Sequence, residues 1–517
     1  MFKSSKQIVL AVIVVVALAV IGLMYRQSSG GSRVSNTSNF HGRIIVIGMD
    51  GMNPKVVEPM MAEGKLPHFA KLKETGFYSR MSTSNPSQSP VAWTGFSTGQ
   101  NGGKTGVFDF IRRDPKDYSL ALATSNIEGG VAKPVVQSKR FWQYASEKGV
   151  PCTLISFPVT FPPDKDINGR MISGMGVPDI LGTEGTFTFY TSDPLPENKD
   201  TGGKVIRVDN NQTMKLNLVG PLRKAAGKLE NVEVPFNVTI DNDGTHAKIE
   251  LQGNTFDLKQ GEWSGWHEAS FTMGLFKKVK GIFKMYLVEA SPGFKLYVSP
   301  INMDPRAPIM PISYPESYSK ELAENPAVGL YHTQGMPCDT WALNEKRLDE
   351  KAFLEHIDDI AGEKKRALDL EMKNTPEGIL YCYFEATDTV QHMFWRYDDP
   401  KNPLPEADKA GPYKGEIEKY FIKMDGVLAD VMSKMQPDDT LILMSDHGFA
   451  SFRRAVHVNA WLRENGYLQL KDPNAKTGAD LLADVDWFHT RAYAIGFGAV
   501  YLNIEGRERD GIVKPGA

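Results

Sequence analysis

The chain has 517 residues, 41% hydrophobic and 23% charged, enough for two or three domains with a genuine core. Its formal net charge of −3 lacks the basic field that broad nucleic-acid binding needs, so no nucleic-acid partner is expected. The three cysteines, Cys152, Cys338 and Cys382, form no Cys-x-x-Cys unit, which argues against a cysteine zinc site or a thioredoxin-like motif.

Residues 1–42 read as an N-terminal membrane anchor and tether. The stretch "IVLAVIVVVALAVIGLMY" carries no charge from Ile8 to Tyr25, long enough to span a bilayer core of about 30 Å. It exceeds the apolar core of a signal peptide, and no small-x-small cleavage pattern follows. The expectation is an uncleaved single-pass anchor, leading with its N-terminus inside, with the bulk of the chain outside the cytoplasm. Cleavage would make the protein secreted. "RQSSGGSRVSNTSN" then reads as a flexible tether.

A first half-core is expected over residues 43–180. "GRIIVIGMDG" opens it with an aliphatic, β-branched run, the mark of a strand buried on both faces. A helical pattern follows in "KVVEPMMAEGKLPHFAKLKETG", then the helix-like "KRFWQYASEKG" and the strand "CTLISF". Residues 181–315 change character. "KVIRVDNNQTMKLNLVG" and "VEVPFNVTIDNDGTHAKIELQGNTFDL" alternate apolar and polar residues between turn signals, as half-buried antiparallel strands do. They are read as a β-rich insertion. The second half-core, 316–517, returns to helices and buried strands in "GILYCYFEATD" and "DTLILMSDHG". Strands alternating with helices predict an α/β domain with a mainly parallel sheet.

Three strands end in acids: Asp50 after "IVIGM", Asp388 after "LYCYFEAT", and Asp446 with His447 after "LILMS". In a parallel sheet these ends share one edge, where ligands bind. Bare carboxylates crowded there would raise each other's pKa, and a divalent cation removes the conflict. Asp388 and His392 are four apart and share a helix face. Asp446 and His447 are adjacent and converge only if the strand breaks at Gly448. Each feature alone has a plainer reading, as a helix cap, a surface pair or a turn; together they point to a two-metal site. Mixed carboxylate and imidazole donors suit zinc, with manganese or iron as alternatives. In "NPSQSPVAWTGF", Ser89 before Pro90 is expected to cap a helix, where free N–H groups favour an alkoxide or a phosphate. Ser87 and Thr94 compete with it, Thr94 a turn inside the helix.

This ordered set, Asp50, Ser89, Asp388-x-x-x-His392 and Asp446-His447, resembles the type I phosphodiesterase/nucleotide pyrophosphatase branch of the alkaline phosphatase superfamily. The resemblance covers Arg43 to about Thr105 and Asp339 to the end. It implies an alkaline-phosphatase-like fold, a phosphoester substrate, and Ser89 as a nucleophile that forms a phospho-serine. One metal would be held by Asp50, Asp446, His447 and Ser89, the other by Asp388, His392 and a third histidine. That histidine has no clear match; His457 and His489 are stand-ins, and a chain truncated after "GRERDGIVKPGA" is the other expectation. Ala92 stands where many nucleotide pyrophosphatases carry an Asn, and Lys104 or Asn101 is the proposed substitute. The Cys-x-Pro-x-Arg element of sulfatases is absent. A phosphotransferase or phosphomonoesterase of the same superfamily, and a non-catalytic metal-stabilised binding protein, are the rival readings. Oligomeric state is not legible.

Overall fold

The computed structural model describes residues 40–516 apart from 196–201, 226, 275–276, 404–410 and 498. Six strands build the central sheet: β1 (Arg43–Met49), β2 (Cys152–Phe157), β3 (Gly169–Ser173), β4 (Ser313–Tyr314), β5 (Gly378–Phe384) and β6 (Thr440–Met444). Their order is β4-β3-β2-β5-β1-β6. All neighbours run parallel except the short β4, which is antiparallel to β3.

The run "RIIVIGM" forms β1 because both faces of the sheet are covered. Val46 faces one layer, where it meets Trp93 of α1 (Ser89–Thr98) and Trp142. Ile45, Ile47 and Met49 face the other. There they join Phe353, Ile357 and Leu368 of α2 (Glu350–Asn374), Val390 and Phe394 of α3 (Ala386–Asp398), and Phe421 and Leu428 of α4 (Glu416–Ser433). Each such side chain, fully buried, contributes about 1.5–3 kcal/mol. The long helical pattern after β1 is two helices, Pro54–Ala62 and Pro67–Thr75; Gly64, at φ +72°, and Pro67 end the first and start the second. β6 was expected as a buried strand. It is half exposed, because it is the outermost strand of the sheet and, among the described residues, pairs with β1 alone.

Register places the site. Met49 lies opposite Phe384, and Gly48 opposite Met444. The carboxyl ends of β5, β1 and β6 therefore stop level, and Asp50, α3 and the Ser445–His447 loop emerge side by side. At the other end, Arg43 is buried and holds the register through Asp439, with Nε 3.0 Å from Oδ1, and through the Met372 carbonyl at 2.6 Å.

Between β3 and β4 the chain forms three further sheets. Thr213–Ala225, Lys228–Ile240, His246–Leu251 and Asn254–Lys259 make an antiparallel four-stranded sheet. A second sheet joins His267–Thr272, Lys278–Phe283 and Asn302–Met303. In the third, Thr188–Thr191 pairs with Lys204–Arg207 in parallel, whereas its pairing with Lys295–Val298 is antiparallel. Phe236, Ile249, Phe271, Phe283 and Leu296 fill a common core among them.

The membrane-anchored localisation requires correction. The apolar run from which it was read lies outside the described residues. Among the described residues no helix is long and apolar enough to cross a membrane, so a single-pass anchor has no structural support.

Candidate active site

Asp50 leaves β1 at the sheet edge, and its N–H donates to the Phe384 carbonyl at 2.9 Å. Gly51 follows at φ +66°, where a Cβ would stand 2.6 Å from Phe449 and 3.0 Å from the Asp388 Oδ1. Only glycine fits both the angle and the space. Its N–H donates to Asp446 Oδ1 at 3.1 Å, and its carbonyl accepts from Gln391 Nε2 at 2.6 Å, so this one residue joins β1 to the β6 loop and to α3.

Ser89 is the first residue of α1, with Gln88 as the cap, one position later in the helix than the sequence suggested. Its Oγ lies 3.1 Å from His447 Nε2 and 3.3 Å from Asp50 Oδ1. Of the competing hydroxyls, Ser87 is exposed and Thr94 is buried within the helix, with no partner for its Oγ1 among the described residues. His447 is the centre of the cluster. Its Nε2 lies 3.4 Å from Asp50 Oδ1, 3.4 Å from Asp446 Oδ2 and 3.8 Å from Asp388 Oδ1. Its Nδ1 lies 2.9 Å from the Gly448 carbonyl. A carbonyl only accepts, so Nδ1 carries a proton, and Nε2 is the ring nitrogen turned toward the carboxylates and able to serve as a metal ligand.

The carboxylates are electrostatically unbalanced. Asp50 is 1% exposed, and its carboxyl is pushed up to about 8, first by burial and then by the Asp388 charge, against hydrogen bonds from Tyr383 and Trp93. Burial, then the Asp50 charge, holds Asp446 well above the usual carboxylate range. Among the described residues, Asp388 Oδ1 and Asp446 Oδ2 are buried with no hydrogen-bond partner. The orphaned Asp388 oxygen, the Asp50 carboxylate and the His447 Nε2, gathered beside the Ser89 hydroxyl, fit a divalent cation. Donor atoms of Asp50, Asp388 and His447 lie within 4.8 Å of one another and could hold such an ion. Asp388 thus groups with Asp50 and His447, rather than only with His392.

His392 sits one turn along α3, its Nε2 3.4 Å from Asp388 Oδ1, with a side chain 60% exposed. Neither stand-in for a third histidine joins it. His489 is paired with Asp486 at 2.7 Å on the surface. His457 precedes the helix Val458–Glu464 and lines a cavity of about 1270 Å³ with Arg454, Lys476 and Phe497, to which no residue of the cluster contributes. Asn101 and Lys104 lie at the short helix Gly102–Thr105 and make no hydrogen bond to the cluster.

Sequence reasoning missed the two side chains that hold the Asp50 carboxylate from the core side. Trp93 Nε1 donates to Asp50 Oδ2 at 3.0 Å, and Tyr383 Oη donates to the same oxygen at 2.6 Å. Trp93 could have been found: it is four residues after Ser89, on the same helix face. Tyr383 has no such signal, since strand alternation alone does not say which face meets Asp50.

The family model described as type I phosphodiesterase / nucleotide pyrophosphatase matches residues 44–211 and 298–515, more than half of the chain. No curated protein matches. Among solved structures, one similar chain is the phosphonoacetate hydrolase from Sinorhizobium meliloti 1021 in complex with phosphonoformate, at 11% identity and a TM-score of 0.35. That match covers 84% of this chain and 65% of the other, so this chain spans less than two thirds of its length.

Proposed function

The chain belongs to the type I phosphodiesterase/nucleotide pyrophosphatase family, a family of phosphoric ester hydrolases, and we propose that it hydrolyses a phosphodiester or pyrophosphate bond by way of Ser89. One observation carries this reading: the Ser89 hydroxyl opens a ten-residue helix 3.1 Å from His447 Nε2 and 3.3 Å from Asp50 Oδ1, beside two partnerless carboxylate oxygens. The free N–H groups of that first helical turn favour the oxygens of a bound phosphoryl group.

Asp50, Asp446, His447 and Ser89 would hold one divalent ion, and Asp388 with His392 a second; zinc suits the mixed donors best, with manganese as the alternative. Such ions, when bound, supply the charge that lowers the hydroxyl pKa and offsets the phosphoryl oxygens. The chain's own residues do the rest. Ser89 Oγ gives up its proton and attacks phosphorus while the bond to the leaving alkoxide or phosphate breaks; the leaving group takes up a proton, and the rest of the substrate stays on Ser89 as a phospho-serine ester. Water then takes the phosphoryl group and restores the hydroxyl. The Gly448 carbonyl orients His447, and Gly51 orients Asp446. Residues 181–315 are read as an insertion between two halves of the core; the gap in the family match from 212 to 297 supports this.

Ala92, in place of an Asn, turns the reading away from nucleotides as the obvious substrates. The test is turnover of a generic aryl phosphodiester against its monoester by the zinc-loaded full chain. Diester preference is the expected result. Monoester preference, or transfer to an added alcohol in place of hydrolysis, would assign the rival chemistries. No turnover of either by a chain that binds zinc would overturn the hydrolytic reading.

A further inference from the structure

The two oxygens of Asp50 have different surroundings. Oδ1 faces Ser89 and His447. Oδ2 turns into the core and accepts two hydrogen bonds, from Trp93 and Tyr383. Both donors are buried, Trp93 at 0% exposure and Tyr383 at 4%. The Trp93 indole is fixed edge-on by Phe96, Phe157 and Tyr381 at 6.1 Å and by Tyr383 at 5.6 Å. Gly48 makes room for it: a Cβ there would stand 2.8 Å from Trp93 and 2.5 Å from the Tyr381 hydroxyl. The Lys364 ammonium lies 4.8 Å over the Tyr383 ring and pairs with Glu385, the residue that caps α3. Rotation of the Asp50 carboxylate is therefore opposed by two buried donors that are themselves closely packed.

We propose that Trp93 and Tyr383 form a two-donor clamp on Asp50 Oδ2, leaving Oδ1 as its single ligand atom and setting the distance between Asp50 and Ser89. Both are positioning residues; neither touches substrate. Trp93 and Ser89 lie one turn apart on α1 and hold opposite oxygens of the same carboxylate. The helix cannot slide along its axis without breaking one of these bonds. A carboxylate with both oxygens free would rotate or bind an ion through both, and its donor geometry would be lost. The inference rests on the reading above of Asp50 as ligand and Ser89 as nucleophile.

The test uses the full chain as wild type, Tyr383→Phe and Trp93→Phe. Zinc affinity of metal-stripped protein is measured by calorimetry, urea midpoints report folding, and kcat and KM are measured on an aryl phosphodiester. Tyr383→Phe keeps the ring and its packing, so it isolates the hydroxyl. The expected result is zinc binding weaker by about 10- to 100-fold, kcat reduced at unchanged KM, and a midpoint close to wild type. The double variant should lose less than the product of the single losses, since both donors serve one oxygen. Zinc affinity within twofold of wild type in Tyr383→Phe overturns the clamp, as does a wild-type chain that takes up no zinc. A wild type that binds zinc, loses affinity on Tyr383→Phe and turns over no phosphodiester keeps the clamp and overturns the hydrolytic reading instead.

Discussion

In the metal-free chain, Asp50 makes stability depend on pH in a direction opposite to that of ordinary carboxylates. Its pKa is raised from 3.8 to about 8, first by burial and then by Asp388. Between those values the folded chain holds a proton that the unfolded chain has released. Stability is then highest at the acid end and falls as pH rises, with a slope of about 1.4 kcal/mol per pH unit for this one group. From about pH 5 to about pH 7 the loss is roughly 3 kcal/mol. Asp446 acts in the same direction, as do Glu184, raised by burial to about 7, and Asp339, raised by burial to about 6. The share of Asp50 is therefore read as the difference between wild type and Asp50→Asn, whose amide oxygen still accepts from Trp93 and Tyr383. The assay is urea unfolding with a chelator present, at half-unit pH steps. The wild type should lose stability with pH more steeply than the variant, and saturating zinc, which displaces the proton, should flatten the difference. Parallel pH dependence of the two proteins would refute the argument.

Ser89→Ala should reduce turnover of a phosphodiester by about 10⁴-fold or more while circular dichroism and the urea midpoint stay near wild type; substantial residual activity would transfer the nucleophile's role elsewhere. Gly48→Ala, whose Cβ has 2.5 Å to the Tyr381 hydroxyl and 2.8 Å to Trp93, should cost about 1–3 kcal/mol in urea unfolding, and should weaken zinc uptake because Trp93 is displaced. Asp439→Ala strips the partner from a buried Arg43 and should destabilise the chain by about 3–5 kcal/mol; a loss below 1 kcal/mol would show that the backbone carbonyls of Met372 and Thr375 suffice.

Much of the core could be read from the chain itself. Aliphatic runs at 43–49 and 378–384 predict strands covered on both faces, and both are. The acids at the ends of these runs do meet, because a parallel sheet leaves no other place for them. What could not be read was register. Nothing in "IVIGMDG" or "LYCYFEATD" says that Met49 stands opposite Phe384, and a shift of one residue would have turned Asp50 away from His447. The partners of Asp50 were hidden for a related reason. Trp93 and Tyr383 look like core aromatics, and they are; only the third dimension shows that their polar atoms share one oxygen. The half-exposed β6 was also invisible, since "TLILM" has the composition of an inner strand.

The hydrogen bond from the Gly51 backbone N–H to Asp446 spans 395 residues of sequence. The cluster therefore cannot exist in a growing polypeptide until β6 has been made and has docked against β1. An emerging chain that stops short of residue 440 has Asp50, Ser89 and Asp388 but not the imidazole that gathers them. Contacts of such long sequence separation form late, because the loop between them must close first. On the proposed reading, zinc uptake during refolding, followed with a zinc-responsive dye, begins only once β6 has docked against β1 and brought His447 to the other ligands.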